Sequence, residues 1–250
     1  MAKDIMLALC GRLGMDGGKY QAVEYTGEAI RALSMQERMT LSNMAAELGG
    51  QTGLVAPDDV TAAFLHSVGG SVPDLSDLHS DEGASVLEHH IFDATTLAPQ
   101  VAAPHSPANA MPADAAGKTA ISVAYVVACT GAKYEDLQAA ARILKGRKLA
   151  AGVDLLVAPS SKRDQDRAEA DGIMSIFETV GAKILPNACG ICAGYGTYRL
   201  GADVTCISST ARNFKGRMGE ASSQVWLGSP LTVAAAAVAG HIIDPREMLA

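Results

Sequence analysis

From residue 119 onward the chain alternates apolar runs with amphipathic ones. AISVAYVVAC (120–129) is a continuous, β-branched apolar run of the kind that forms a strand buried on both faces of a parallel sheet. YEDLQAAARILKG (134–146) has helical periodicity, and VDLLVAPS (153–160) predicts a second strand. RDQDRAEADGIMSIFETVG (163–181) predicts one further helix with Ile173, Ile176, Phe177 and Val180 on its apolar side, and AKILP (182–186) a third strand. The order β-α-β-α-β implies parallel strands joined by crossover helices. GSPLTVAAAAVAGHIIDP (228–245) closes the chain with an alanine-rich helix suited to close packing on the sheet.

The first half is less regular. Lys3–Arg12 predicts a short helix with Leu7 on its apolar side, stopped by GRLGMDGGKY. Gly14, Gly17 and Gly18 there mark a turn or a close backbone approach, and Lys19 stands at the wrong spacing for a phosphate-binding loop. A short helix is expected over 27–33 and a longer one after Ser34, with Glu37 at capping-box spacing and a stop at Gly49–Gly50. Asn43 and Glu47 are i and i+4 in that helix, so they project from one side near its negative end, a place a carboxylate does not favour by itself. APDDVTAAFLHSV offers Asp58 or Asp59 as the start of another helix.

Between residues 69 and 118 the regularity falls. EHHIFDATT (88–96) predicts one short strand, and the stretch holding Pro99, Pro104, Pro107 and Pro112 predicts extended chain. The expected organisation is an α/β domain over 1–92, a Pro/Ala-rich connector over 93–118 and a second α/β domain over 119–250. His89 and His90 would point to opposite faces of a strand, which makes them a poor metal pair.

Charge narrows the function. A net charge of −7 without any basic run argues against a nucleic-acid partner. No stretch approaches a membrane span, and MAKDIMLALCG lacks a basic region followed by a cleavage site, so a cytoplasmic protein is expected. Five irregularly spaced cysteines do not make a secreted disulfide framework. Cys10 and Cys206, each in an apolar run, read as small buried hydrophobes.

The other three cysteines converge. Cys129 ends the first predicted strand, and Cys189 and Cys192, in PNACGICAGYG, follow the third. In an open parallel sheet those ends share one edge, where ligand sites gather. Three thiols at one edge suit an iron–sulfur cluster with one open iron, while zinc, a redox pair and inert thiols stay open as alternatives.

The chain resembles the aconitase superfamily of iron–sulfur hydro-lyases, in particular the large subunits of 3-isopropylmalate dehydratase and homoaconitase. AKDIMLALCGRLGMDGGKYQAVEYTGEAIRALSMQERMTLSNMAAELGG, LAPQVAAPHSP, CTGAKYEDLQAAARILKGRK, CGICAGYG, RNFKGRMG and SPLTVAAAAVAGHIIDPRE carry the likeness, in order and over nearly the whole length. The resemblance implies two aconitase-type α/β/α domains with largely parallel sheets. It implies a 4Fe-4S cluster on Cys129, Cys189 and Cys192, with Asn43 hydrogen-bonding near it and Glu47 beside it as a catalytic carboxylate. Arg212 and Arg217 would hold carboxylates of a small hydroxy-carboxylic acid substrate, a task for which paired guanidinium donors are suited.

Three departures accompany the likeness. Gly131 and Ala211 stand where the family usually has asparagine. The family's N-terminal domain, with its histidine and aspartate acid–base groups, and its swivel domain, with a serine base, have no counterpart in this sequence. The resemblance therefore implies a cluster-bearing subunit of a hydro-lyase whose partner chains supply those parts. The rival readings are a metal-binding protein with other chemistry and a scaffold subunit with no activity of its own.

Overall fold

The computed structural model describes residues 1–196 and 198–249. Helix α1 (Ala2–Leu13) ends at Gly14, and α2 (Glu28–Arg31) and α3 (Met35–Met44) lie between two short parallel strands, β1 (Ala22–Glu24) and β2 (Thr52–Leu54). Ser34 caps α3 by accepting from the Glu37 N–H at 3.2 Å, while the Glu37 carboxylate turns to the Ala2 N–H instead of closing the capping box. The helix tightens into a 3-10 turn over Ala45–Leu48 and stops at Gly49, φ 76°. A side chain at Gly18 would lie 2.6 Å from the Gly50 nitrogen, so the glycine cluster is the close backbone approach its sequence suggests. Asp58 caps α4 (Asp59–Ser67) in a capping box with Thr61.

No strand forms over 88–96. The segment is exposed and ends in a 3-10 turn (Ala94–Thr96) that Asp93 organises by accepting from the Thr95 N–H at 2.9 Å. Without an apolar partner, local Asp–Thr turn chemistry outweighs strand pairing. Pro-rich residues 97–118 are extended over two short stretches, as expected, and pair there as an unforeseen hairpin of β3 (Gln100–Ala102) and β4 (Ala110–Pro112). Prolines are tolerated because they flank the strands or lie on β4, an edge strand that needs no outward donor.

The main sheet adds β5 (Val123–Val127), β6 (Asp154–Ala158), β7 (Lys183–Ile184), β8 (Thr205–Ser208) and β9 (Gln224–Gly228), in the order β4-β3-β9-β8-β5-β6-β7. From β9 to β7 the strands are parallel, and the β3–β4 hairpin joins β9 antiparallel. The chain thus runs outward from β5 through β6 and β7, then returns to place β8 on the other side of β5. The reversal puts a topological switch point between β5 and β8.

Helix α5 (Tyr134–Leu144) follows β5, and α8 (Pro230–Ala239) follows β9. The helix expected over 163–181 breaks into α6 (Lys162–Ala170) and α7 (Ile173–Thr179), because Gly172 takes a left-handed φ of 71°. Helices α5, α7 and α8 pack through Leu137, Ile143, Phe177 and Ala234 onto one face of the sheet. The other face is divided. Helices α1 and α3 cover it at β3 and β9 through Leu7, Leu41, Ala102 and Leu227. Over β5 and β6 it is covered by loops that bring Ile191, Leu200 and Met218 against Tyr125 and Leu156, so helices flank both faces only in part. Among the described residues no helix is long and apolar enough to cross a membrane.

Candidate functional site

The seam between α1/α3 and those loops lies over the switch point. At the end of β5 the backbone turns at Ala128, a non-glycine residue at φ 75°, a conformation that costs on the order of 1–2 kcal/mol. The turn presents Cys129 to the surface while Thr130 stays buried. Ser209, just past β8, fixes this turn: its hydroxyl accepts from the Val127 N–H at 2.8 Å and lies 3.1 Å from the Gly131 carbonyl. A Cβ at Gly131 would stand 2.4 Å from the Ser209 Cβ, so the turn has no room for the asparagine that the family resemblance leads one to expect. Ala211, the other replacement, is partly buried against the α1/α3 core.

Cys189 and Cys192 sit on a short 3-10 turn (Gly190–Ala193) beyond β7. Cys189 is exposed, Cys192 is half-buried, and both are free thiols like Cys129. Burial pushes the Cys192 thiol up; the charge and hydrogen bonding of Arg217 oppose this, and the neighbouring Cys129 and Cys189 sulfurs add to the rise. The other two thiols are therefore within electrostatic reach of Cys192. From α3 the Asn43 amide donates to the Cys129 sulfur at 3.3 Å. Cys10 and Cys206 are fully buried, as expected.

Glu47 lies in the 3-10 turn that ends α3 and is only 1% exposed. A solvated carboxylate is thus ruled out. One of its oxygens accepts from Arg212 Nε in an ion pair, and the other is buried with no partner among the described residues. Arg212 follows β8 and stays 41% exposed along its side chain, while the Arg217 Nε is buried and unpartnered. An arginine that pairs with a protein carboxylate was not anticipated for Arg212; its Nη groups keep no protein partner among the described residues. Among the described residues His90 pairs with Glu88 on the surface, at 3.1 Å.

Among the seven residues singled out from sequence, contacts join Asn43 to Cys129 and Glu47 to Arg212, while Cys189 and Cys192 lie on the turn beyond β7 and Arg217 on the loop after β8. Sequence reading missed the seam's supports: Lys3, Lys133 and Ser209, and β8 itself, whose short alternation in DVTCISST carried the only signal. Two of these are buried lysines. Lys133 donates to the Cys129 carbonyl at 2.9 Å, to Thr40 at 2.7 Å and to Asp136 at 3.0 Å. Lys3 reaches the Thr130 hydroxyl at 3.3 Å.

Free thiols from two strand ends, an amide aimed at one sulfur, and two orphaned buried polar atoms fit a group held by cysteine sulfur with carboxylate chemistry beside it. Among the described residues no three His, Cys, Asp or Glu side chains stand close enough to close on one metal ion.

A mostly parallel sheet with Cys129 beside its switch point, and with arginines and a buried glutamate across the seam, is the arrangement of a ligand-binding α/β protein. Residues 1–240 match the model of the aconitase family (aconitate hydratase), and the chain belongs to that family. It is 40% identical over 248 residues to "3-isopropylmalate dehydratase large subunit 2" of Archaeoglobus fulgidus, covering 99% of this chain and 59% of that protein. It is 41% identical over 251 residues to the 3-isopropylmalate dehydratase large subunit of Nautilia profundicola, covering 98% and 59%. To the probable methanogen homoaconitase large subunit of Methanosarcina mazei it is 40% identical over 247 residues, covering 99% and 62%. The chain thus spans about three fifths of the length of the curated relatives it matches.

Proposed function

We propose that this chain is the cluster-bearing part of an aconitase-type hydro-lyase acting on a small hydroxy di- or tricarboxylic acid, in the cytoplasm. The observation that carries the reading is the Asn43 amide on the Cys129 sulfur, with Cys129 and the Cys189–Cys192 turn both following the C-terminal ends of strands in one parallel sheet. These cysteines would hold a 4Fe-4S cluster. When bound, such a cluster supplies a Lewis-acidic iron of the kind that weakens a carbon–oxygen bond beside a carboxylate.

The chain's own residues divide the remaining work. Arg217, with a buried and unpartnered Nε, and the exposed edge of Arg212 are placed to grip substrate carboxylates. Arg212 orients Glu47 through one oxygen and leaves the other free to hold the water gained or lost in the reaction. Proton abstraction next to a carboxylate needs a positioned base, and no side chain at this seam has that role unassigned. The base is therefore assigned to parts outside residues 1–250, with a partner chain as the proposed source of the family's swivel portion. The division at residues 92 and 119 into two domains and a connector belongs to the same proposal.

Anaerobic purification followed by iron and sulfide analysis tests the centre: about four of each per chain are expected. A colourless protein that takes up only zinc would overturn it. For the reaction, the test is turnover of a 2- or 3-hydroxy dicarboxylate by the chain together with its co-purifying partners and not by the chain alone.

A further inference from the structure

Two buried lysines contact the Cys129 turn, Lys3 at the Thr130 hydroxyl and Lys133 at the Cys129 carbonyl, and they differ in one respect. Lys133 has a carboxylate, Asp136, at 3.0 Å to match its charge. Lys3 has none. It is 1% exposed, and its ammonium contacts only the Thr130 hydroxyl at 3.3 Å and the Met44 sulfur at 3.9 Å. No carboxylate among the described residues lies within ion-pair distance of it. The Thr130 hydroxyl is 3.2 Å from the Ser209 carbonyl, to which it donates its proton, so it faces Lys3 with a lone pair. A chain of contacts thus leads from α1 through Thr130 to the residue next to Cys129.

A buried ammonium without a contacting anion costs several kcal/mol, and a protein retains one where negative charge stands nearby under working conditions. Burial pulls the Lys3 pKa down to about 8; the charges of Asp136, Glu47 and Cys192 oppose that fall, and Lys133 adds to it. Glu47 and Cys192 belong to the candidate site, and three thiolates would add to its negative charge.

Resting on the function proposed above, we infer that Lys3 is a positioning residue, a buried counter-charge matched to the anionic cysteine centre and transmitted to Cys129 through Thr130. Its charge is uncompensated while the thiols are neutral and compensated once they are ionised and occupied.

The inference gives opposite signs in the two states, which a merely structural lysine would not. In the cluster-free chain K3M should melt at a higher temperature than wild type, because it removes a buried, unmatched charge. In the anaerobically loaded chain the same variant should release iron to a chelator at least about tenfold faster, the lower end of what supporting residues around metal sites contribute. Its reduction midpoint should also fall, since a centre that gains negative charge is harder to reduce without the cation. K3Q, which keeps a donor but not the charge, should follow K3M and serves as the reading if K3M does not fold. Lower melting in both states, or iron release and midpoint equal to wild type, would overturn the role of Lys3 while leaving the cluster reading intact. A wild-type chain that takes up no cluster would overturn the proposed function, and this inference with it.

Discussion

Cys129 is aimed by its neighbours more than by its own side chain. Ala128 holds a left-handed φ of 75°, Ser209 ties Val127 to Gly131, and Gly131 packs so tightly that a Cβ would stand 2.4 Å from the Ser209 Cβ. Restoring the family's asparagine with Gly131→Asn should therefore destabilise the chain, by about 1–3 kcal/mol as for other overpacked sites, and lower its urea midpoint. Cys129→Ser keeps the turn and removes a sulfur: it should leave the melting temperature of the cluster-free chain nearly unchanged and abolish iron retention. Full iron content in that variant would show that the ligand set is wrong. The three cysteines stood out by their places after strand ends and Asn43 and Glu47 by their helical spacing, whereas both arginines were singled out only by the family resemblance. That Glu47 is buried and bonded to Arg212 was not legible, because a pairing across 165 residues leaves no local pattern. Lys3 was invisible for the same reason: a lysine near a chain start reads as surface until α1 is docked.

Secondary elements show where local signals sufficed. Helix caps at Ser34 and Asp58 accept the backbone donors that their sequences foretell, and Ser229 caps α8 in the same way. The long predicted helix failed at Gly172 because its apolar periodicity continues across a break that only a glycine with φ 71° permits. No atom lies near a Cβ built there, so Gly172→Ala should cost only the conformational strain, about 1 kcal/mol, readable as a small drop in melting temperature. Between α3 and α4, Arg38 gives Asp58 two hydrogen bonds, at 2.6 and 2.8 Å, with the Arg38 side chain 3% exposed. These bonds hold the Asp58 carboxyl below its ordinary range, against a smaller opposing effect of burial. A folded pKa below the unfolded one adds stability that is complete above the ordinary aspartate range and lost as pH falls through the depressed value. Asp58→Asn should flatten the acid side of the stability profile, and Asp58→Ala should cost about 3 kcal/mol by also stranding the buried guanidinium. The β3–β4 hairpin escaped prediction because prolines normally argue against strands, a rule that edge position relaxes.

For the whole molecule the sheet order matters most. Cys129 follows β5 and the Cys189–Cys192 turn follows β7, two strands away, so any group bound to all three joins segments that share no direct strand pairing. The turn that carries Cys189 and Cys192 is weakly held: of residues 189–193 only Ile191 is buried, where it enters the core beside Tyr125. Such a segment opens locally at low free energy, whereas β5, buried along its length, opens only with the whole fold. Binding energy gained at the three sulfurs must therefore appear first as protection of the turn. Loading the cluster should slow amide exchange across 187–196 strongly and at 128–132 modestly, leave α4 unchanged, and raise the melting temperature by an amount that Cys129→Ser eliminates. Equal protection with and without the cluster would mean that the turn is already fixed by protein contacts, and that the cysteines do not join the two strand ends.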